Sequence, residues 1–407
     1  MKLRPILSDW FTFTLALPLF AAPLSAADWP HWLGPNGDNR APAGEHFDAD
    51  ISKWKVAWKA SIGHGYSAVS VADGRAYSLG HDGQAQETVF CFDAVTGEVK
   101  WKHSYNAELI AKMHGGGPNS TPTIVGNRVI TLSKDGQILC LAADKGTPLW
   151  RTSLSEAAGL KTPNWGFASS PVINGKQVIF AAGKVVALDL ESGKMLWTSK
   201  NDYPSGYTTA VAFETDGRKL VAALDGKGLS ILSAIDGEEI TRHPYKANFD
   251  VTGSTPYALA KGHRIFLSGN TSSELLTFDG QKLDPIWSSK ELKNALNNSV
   301  LADGVVYGID GRQGTASSRL VALNLEDGVV KWAKADFGYG ALIGVGGTLL
   351  ALTENGEVVT AKISPASYAE LGRQQVLAKT CWTPPTYAGG RIYVRNDRGD
   401  LVCLAAN

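Results

Sequence analysis

Eight short stretches of the chain concentrate the side chains that could do chemistry. They read GHGYSAVSV (63–71), HGGGPNSTPTI (114–124), NWGFASSPVI (164–173), PSGYTTAVA (204–212), DVTGSTPYA (250–258), NALNNSVLA (294–302), FGYGALIGV (337–345) and KTCWTPPTY (379–387). Flat rings such as Tyr66, Trp165 and Trp382 stand among neutral hydrogen-bonding groups such as Asn164, Asn297 and Asn298. Ionisable groups are few: His64, His114, Lys379 and one acid, Asp250. That mixture suits recognition of a small molecule or peptide by stacking and neutral hydrogen bonds, and it equally suits the making of turns. Other chemistries lack their spacing. The eight histidines show no H-x-H or HExxH pattern, so a zinc site has no support. GVGGTL (344–349) has no following helix to receive a dinucleotide. No Ser, His and Asp grouping can be assembled for acyl transfer. RGD (398–400) lies in a polar hairpin turn equivalent to SKDGQ (133–137) and TENGE (353–357).

A repeat must position these stretches. LVALNLEDGVVKW (320–332) sets Ala322, Gly328 and Trp332 six and ten residues apart. VVALDLESGKMLW (185–197) repeats the cadence with Ala187, Gly193 and Trp197; Cys91, Gly97, Trp101 and Cys140, Gly146, Trp150 repeat it again. Weaker copies keep Gly237 with Thr241 in the Trp place, or Trp287 with Leu283 in the Gly place, and the copy at 358–370 has Ala366 and Glu370 instead. Taking Cys91, Cys140, Ala187, Ile231, Thr277, Ala322, Thr360 and Cys403 as equivalent gives eight units spaced 38 to 49 residues apart, the length of a four-stranded propeller blade. The last copy, LVCLAAN (401–407), lacks its second half, and VAWKASIG (56–63) supplies one at the other end of the chain. The prediction is an all-β fold: an eight-bladed propeller of four-stranded antiparallel blades over 51–407, closed by pairing of the N- and C-terminal strands so that no sheet edge stays open.

The trio has a physical reading. The glycine turns the third strand into the fourth with φ > 0. The tryptophan lies across the gap between blades, where the small residue leaves it room. The copy at 358–370 is expected to be the least regular blade.

The cadence resembles the A-x-D-x-x-x-G-x-x-x-W tryptophan-docking motif of the pyrroloquinoline-quinone (PQQ)-like β-propeller repeat family, over essentially the whole mature chain. That family includes quinoprotein alcohol dehydrogenases and BamB-like lipoproteins that assist outer-membrane protein assembly. DWPHWLGPNGDNR (28–40), with 113–124 and 164–173, is most similar to short secreted bacterial members. For a dehydrogenase the resemblance implies PQQ with Ca²⁺: Trp165 or Trp382 would stack on the cofactor, with Asn164, Tyr66, His114 and Lys379 around it. Asn297 or Asn298 would ligate the cation, and Asp250 would take the substrate's hydroxyl proton. Basic groups to meet the cofactor's carboxylates are scarce, and the vicinal cysteine pair of many such enzymes is absent.

The 39 basic and 39 acidic residues cancel and form no block, which argues against nucleic acid or a basic membrane patch. Lys2 and Arg4, an apolar run from Trp10 to Leu24, and Ser25-Ala26-Ala27 read as a secretory signal cut after Ala27. An extension over 28–50 follows. With no cysteine at the cut, a soluble periplasmic or secreted monomer is expected, without lipid anchor or membrane span. Cys91, Cys140 and Cys403 occupy one register position in different blades, and Cys381 is expected on the first strand of the blade that holds Cys403. Strands two apart lie beyond disulfide reach, so four buried free thiols are expected. Two functions follow: a binding or scaffolding module for a protein, glycan or envelope component, or a PQQ-dependent alcohol or polyol dehydrogenase. The abundance of aromatics and Asn over cations favours binding.

Overall fold

The computed structural model describes residues 27–315 and 317–406; the expected signal falls outside the described residues apart from Ala27. Eight four-stranded antiparallel sheets follow one another around a ring. Blade 1 comprises Ser70–Ala72, Arg75–His81, Gln86–Asp93 and Val99–Asn106; blades 2 to 7 repeat the pattern, starting from Thr123–Val125, Val172–Asn174, Val211–Thr215, Tyr257–Leu259, Val300–Ala302 and Gly340–Val345. Blade 8 takes Thr386–Ala388, Arg391–Arg395 and Asp400–Ala406 from the C-terminus and Trp54–Ser61 from the N-terminus, with Trp58 opposite Cys403. Middle strands such as Val305–Asp310 are buried on both faces and are almost continuously apolar. Outer strands such as Met195–Thr198 bury little beyond one tryptophan. Among the described residues no helix is long and apolar enough to cross a membrane.

The tryptophans join the blades by a contact that the cadence only half revealed. The rings of Trp58, Trp101, Trp150, Trp197 and Trp287 rest on the turn glycine of the next blade, not in space left by the small residue, which is instead a cross-strand partner in the same blade (Cys91 opposite Trp101, Ala187 opposite Trp197). Trp332, facing a turn with Ala366 in that place, packs against Tyr368. A Cβ on Gly97 would lie 2.6 Å from the Trp58 ring, and one on Gly328 would lie 2.6 Å from the Trp287 ring. Both glycines also have φ near +70° (74° and 69°), so the position needs glycine twice over. Each indole N–H donates to a backbone carbonyl of the same neighbour: Trp58 to Ala94, Trp101 to Ala143, Trp150 to Leu190, Trp197 to Ala234, Trp287 to Leu325 and Trp332 to Ser364. Removing one such ring from water is worth on the order of 4–6 kcal/mol gross.

Three expectations shift. In blade 5 Trp287 pairs with Leu275 rather than Thr277, because the two strands stay paired further, out to Phe278 opposite Leu283, before a short turn. Blade 7 is a complete sheet, and its longer turn sets Gly372, not Glu370, opposite Thr360. Cys381 lies in the loop before Thr386–Ala388 rather than on that strand; all four cysteines are buried and free.

The segment before the ring is built into it. Trp29 pairs with Val71 of blade 1 through two 2.9 Å backbone bonds, and Ile124 of blade 2 donates to Pro30. The Asn39 amide donates to Ser299 of blade 6 and Leu342 of blade 7 at 3.1 and 2.8 Å, and the Asn39 carbonyl accepts from Gly344. Residues 29–41 thus cross the channel from blade to blade along the innermost strands.

Candidate functional site

Above this crossing segment lies a cavity of about 870 Å³. Seven of the eight stretches that precede the innermost strands contribute to its wall; the one before blade 7 does not. Its aromatic groups stand on separate sides. Tyr66 and Trp382, from blades 1 and 8, stack on each other at 5.4 Å and 16°, and His114 meets Tyr66 edge-on at 5.4 Å. Across the opening Trp165 and Tyr207 contact at 5.7 Å and 66°. Trp32, from the N-terminal segment, also lines the cavity, its indole N–H fixed to the Thr255 hydroxyl at 3.0 Å. Met113 and Phe249 stand on the rim, 94% and 92% exposed, both with positive φ.

Two charged groups anchor this wall. The buried Arg395 guanidinium donates to the carbonyls of Gly63, Ser67 and Leu79, tying blade 8 to the strand and loop of blade 1 that carry Tyr66. Burial alone pulls its pKa down to about 10, still charged at neutral pH. Buried Glu354 accepts from the Trp382 indole at 2.7 Å and from Gly314 N–H at 3.1 Å, and pairs with Lys379 at 3.4 Å. One carboxylate therefore holds a wall tryptophan and the loop after Asp310 together.

Much of the Ser and Thr content of these stretches forms a collar. Ser70 donates to Pro122 O, Thr123 to Pro171 O and Thr386 to Val69 O, each reaching the next blade at 2.6–2.7 Å. Other hydroxyls accept rather than donate: Ser170 from Thr121 N–H, Thr209 from Ser170 N–H, and Thr255 from Trp32. These three line the cavity with O–H groups that have no acceptor among the described residues.

Of the residues singled out from sequence, Tyr66, His114, Trp165 and Trp382 come together in the cavity wall. Asn164 and Lys379 are exposed and outside the lining. Asp250 lies at the loop base beside Lys227, 3.9 Å away, also outside the lining. Asn297 and Asn298 are buried between blades. Asn297 donates to Gly340 O and accepts from Asn294, while Asn298 donates to Thr255 O and accepts from Thr255 N–H. Burial, reinforced by the Lys134 charge, pushes His114 down to about 4, so its ring is neutral at pH 7. Among the described residues no group of three or more His, Cys, Asp or Glu is placed to hold a metal ion.

Sequence reasoning missed Trp32, Tyr207 and the charged corner of Lys293, Asp310 and Arg312. Tyr207 was visible in a quoted stretch. Trp32 and the corner lie outside the eight stretches, and only the fold brings them to the cavity.

The profile of the family described as outer membrane protein assembly factor BamB matches residues 48–209 and 112–334. The chain belongs to this PQQ-like, BamB-type propeller family. Outer membrane protein assembly factor BamB of Burkholderia pseudomallei (strain K96243) is 25% identical over 281 residues, 58% of this chain and 69% of that protein. The BamB of Bordetella pertussis (strain Tohama I) is 25% identical over 379 residues, 87% of each. Among solved structures, BamB from Moraxella catarrhalis superposes with a TM-score of 0.64 at 16% identity, covering 86% of this chain and 99% of that one. Quinohemoprotein alcohol dehydrogenase from Comamonas testosteroni gives 0.69 at 13% identity, covering 93% and 80%. At these identities the two structures share the propeller fold with this BamB-type chain.

Proposed function

We propose that the protein is an exported, periplasmic binding or scaffolding propeller whose ligand or partner is held at the mouth cavity. The observation that carries this reading is the cavity itself: wide, walled by aromatic rings on separate sides, provided with unspent hydroxyl donors, and set above a channel that the chain's own N-terminal segment crosses. The BamB relatives, named for outer-membrane protein assembly, support a scaffolding role in the envelope.

A PQQ-dependent alcohol or polyol dehydrogenase is the alternative, supported by likeness of fold. The residues fit that cofactor poorly. A planar tricarboxylate with Ca²⁺ needs a free aromatic face between cations, and oxygen ligands. Here Tyr66 and Trp382 cover one another, the Asn297 and Asn298 amides are spent on neighbouring blades, and Asp250 faces Lys227. Calorimetric titration of the mature protein with PQQ, with and without Ca²⁺, separates the readings. The binding module gives no calcium-dependent heat and no dye reduction with alcohols; micromolar calcium-dependent binding lost in Trp382→Ala would reverse the assignment.

A further inference from the structure

The cavity's chemistry narrows what it can hold, granted that it is the binding site. Three kinds of ligand make different demands. A planar cofactor needs a narrow slot between parallel faces, and the rings here stand on separate walls. An extended peptide needs free strand edges for backbone pairing, and lower in the channel the N-terminal segment already uses some of them, at Val71 and Gly344. A sugar needs flat apolar platforms for the C–H faces of its rings, interleaved with hydroxyls and planar polar groups for its oxygens.

The third set of demands is met. Trp32, Trp165 and the Tyr66–Trp382 pair offer ring surfaces on three sides. Between them Ser170, Thr209 and Thr255 retain O–H donors. Asn248 and Gln313 line the cavity with side-chain amides that have no hydrogen-bond partner among the described residues. At one end sits a small excess of positive charge. Asp310 is buried and taken by Arg319 at 2.8 Å, with the Lys293 ammonium 3.7 Å away, whereas the Arg312 guanidinium has no ion pair among the described residues. His114 adds no charge.

The geometry points to a short oligosaccharide bearing a carboxylate as the ligand of the mouth cavity, its sugar rings on Trp32 and Trp165 and its anionic group at Lys293 and Arg312. A pocket of this volume suits a ligand of two or three sugar rings. The N-terminal segment is then part of the site, because it delivers Trp32.

The test is an array of neutral and uronic-acid oligosaccharides probed with the mature protein, followed by calorimetric titration of the best acidic hit and its methyl ester. The acidic sugar is expected to bind at least tenfold tighter than the ester. Arg312→Ala, at an exposed site, should remove that preference without altering the melting temperature. Trp32→Ala should weaken both sugars at least tenfold, and Trp32→Phe should restore most of the loss. Absence of any glycan binding, with PQQ or an apolar peptide bound in a Trp32-dependent way, would overturn the sugar while leaving the cavity as the site. Glycan binding indifferent to Trp32 and Arg312 would overturn the cavity as well.

Discussion

Six seams of the ring are alike and two are not. Where blades 8, 1, 2, 3, 5 and 6 meet their successors, an indole donates to the neighbouring backbone. In the first five it lies on a glycine, and in the last Trp332 packs against Tyr368 of blade 7, ring centroids 6.0 Å apart. Between blades 4 and 5 the equivalent residue is Thr241. There the Arg218 guanidinium reaches Gly280 O at 2.7 Å, and Phe213 packs against the Gly262 turn and against Phe278. Between blades 7 and 8 the reason for the exception is topological. The third and fourth strands of blade 8 come from opposite ends of the chain, so no turn connects them and there is no glycine for a ring to rest on. Gly372 stands where blade 7 would carry its tryptophan, and Ile51 packs on it from the short 3₁₀ turn Ile51–Lys53, while Thr360 donates to Ala49 O. Regular seams are held by the repeat; irregular ones recruit whatever the local chain supplies.

The sharpest way to break this comparison is Trp101→Ala. It empties the blade 1–2 seam and leaves Ala143 O with only the longer bond from the Tyr77 hydroxyl at 3.3 Å, so a loss of about 3–5 kcal/mol is expected in urea unfolding. That seam also buries Glu87, whose carboxyl accepts from Tyr105 and is pushed up to about 8 by desolvation. A carboxyl raised from 4.5 is neutral in the folded protein and ionised in the unfolded chain. Its contribution is full below about pH 4.5 and declines as pH rises through 8. Lys134, pulled down to about 7 by burial, acts with the opposite sign, its share lost as pH falls through 7. Melting temperature should therefore lose the part of its decline that falls between about pH 4.5 and 8 in Glu87→Gln.

Ile51→Ala tests the seam without a turn and should cost about 2–4 kcal/mol, comparable to a core leucine although the residue precedes the ring. Gly97→Ala, which sets a Cβ against Trp58 at positive φ, should cost about 1–3 kcal/mol by thermal melting. Thr241→Ala should change stability by no more than about 0.5 kcal/mol. A large loss there would mean that Thr241 supports the 4–5 seam after all.

What could be read from residues follows the same division. The cadence of Gly and Trp is periodic because most seams solve one packing problem in one way, so blade number and closure were legible, and register everywhere except in blades 5 and 7. Gly372 and Ile51 could not be paired from sequence, because a single contact between distant segments leaves no period. The cavity was legible to the same extent: Tyr66, His114, Trp165 and Trp382 lie in the stretches that lead into the innermost strands, while Trp32 and Arg312 do not. Asn297 and Asn298 show the converse. The Asn297 amide faces the strand of the next blade and the Asn298 amide the loop of the preceding one, directions that composition does not encode.

The N-terminal strand that completes blade 8 sets an order of events in time. Trp54–Ser61 is synthesised first and finds its partner, Asp400–Ala406, only when the chain is finished. Blades 1 to 7 are each made of neighbouring residues and can form locally, whereas the closing pair has the longest sequence separation of any strand pair, the kind of contact that forms slowest. Until it forms, an arc of blades exposes an unpaired strand at its growing end, the species most prone to mispair with another copy. Circular permutation that places new termini at the Asp303–Gly304 turn of blade 6 and links the old ones would make blade 8 contiguous and move the slow step to another blade, a change that refolding kinetics would register directly.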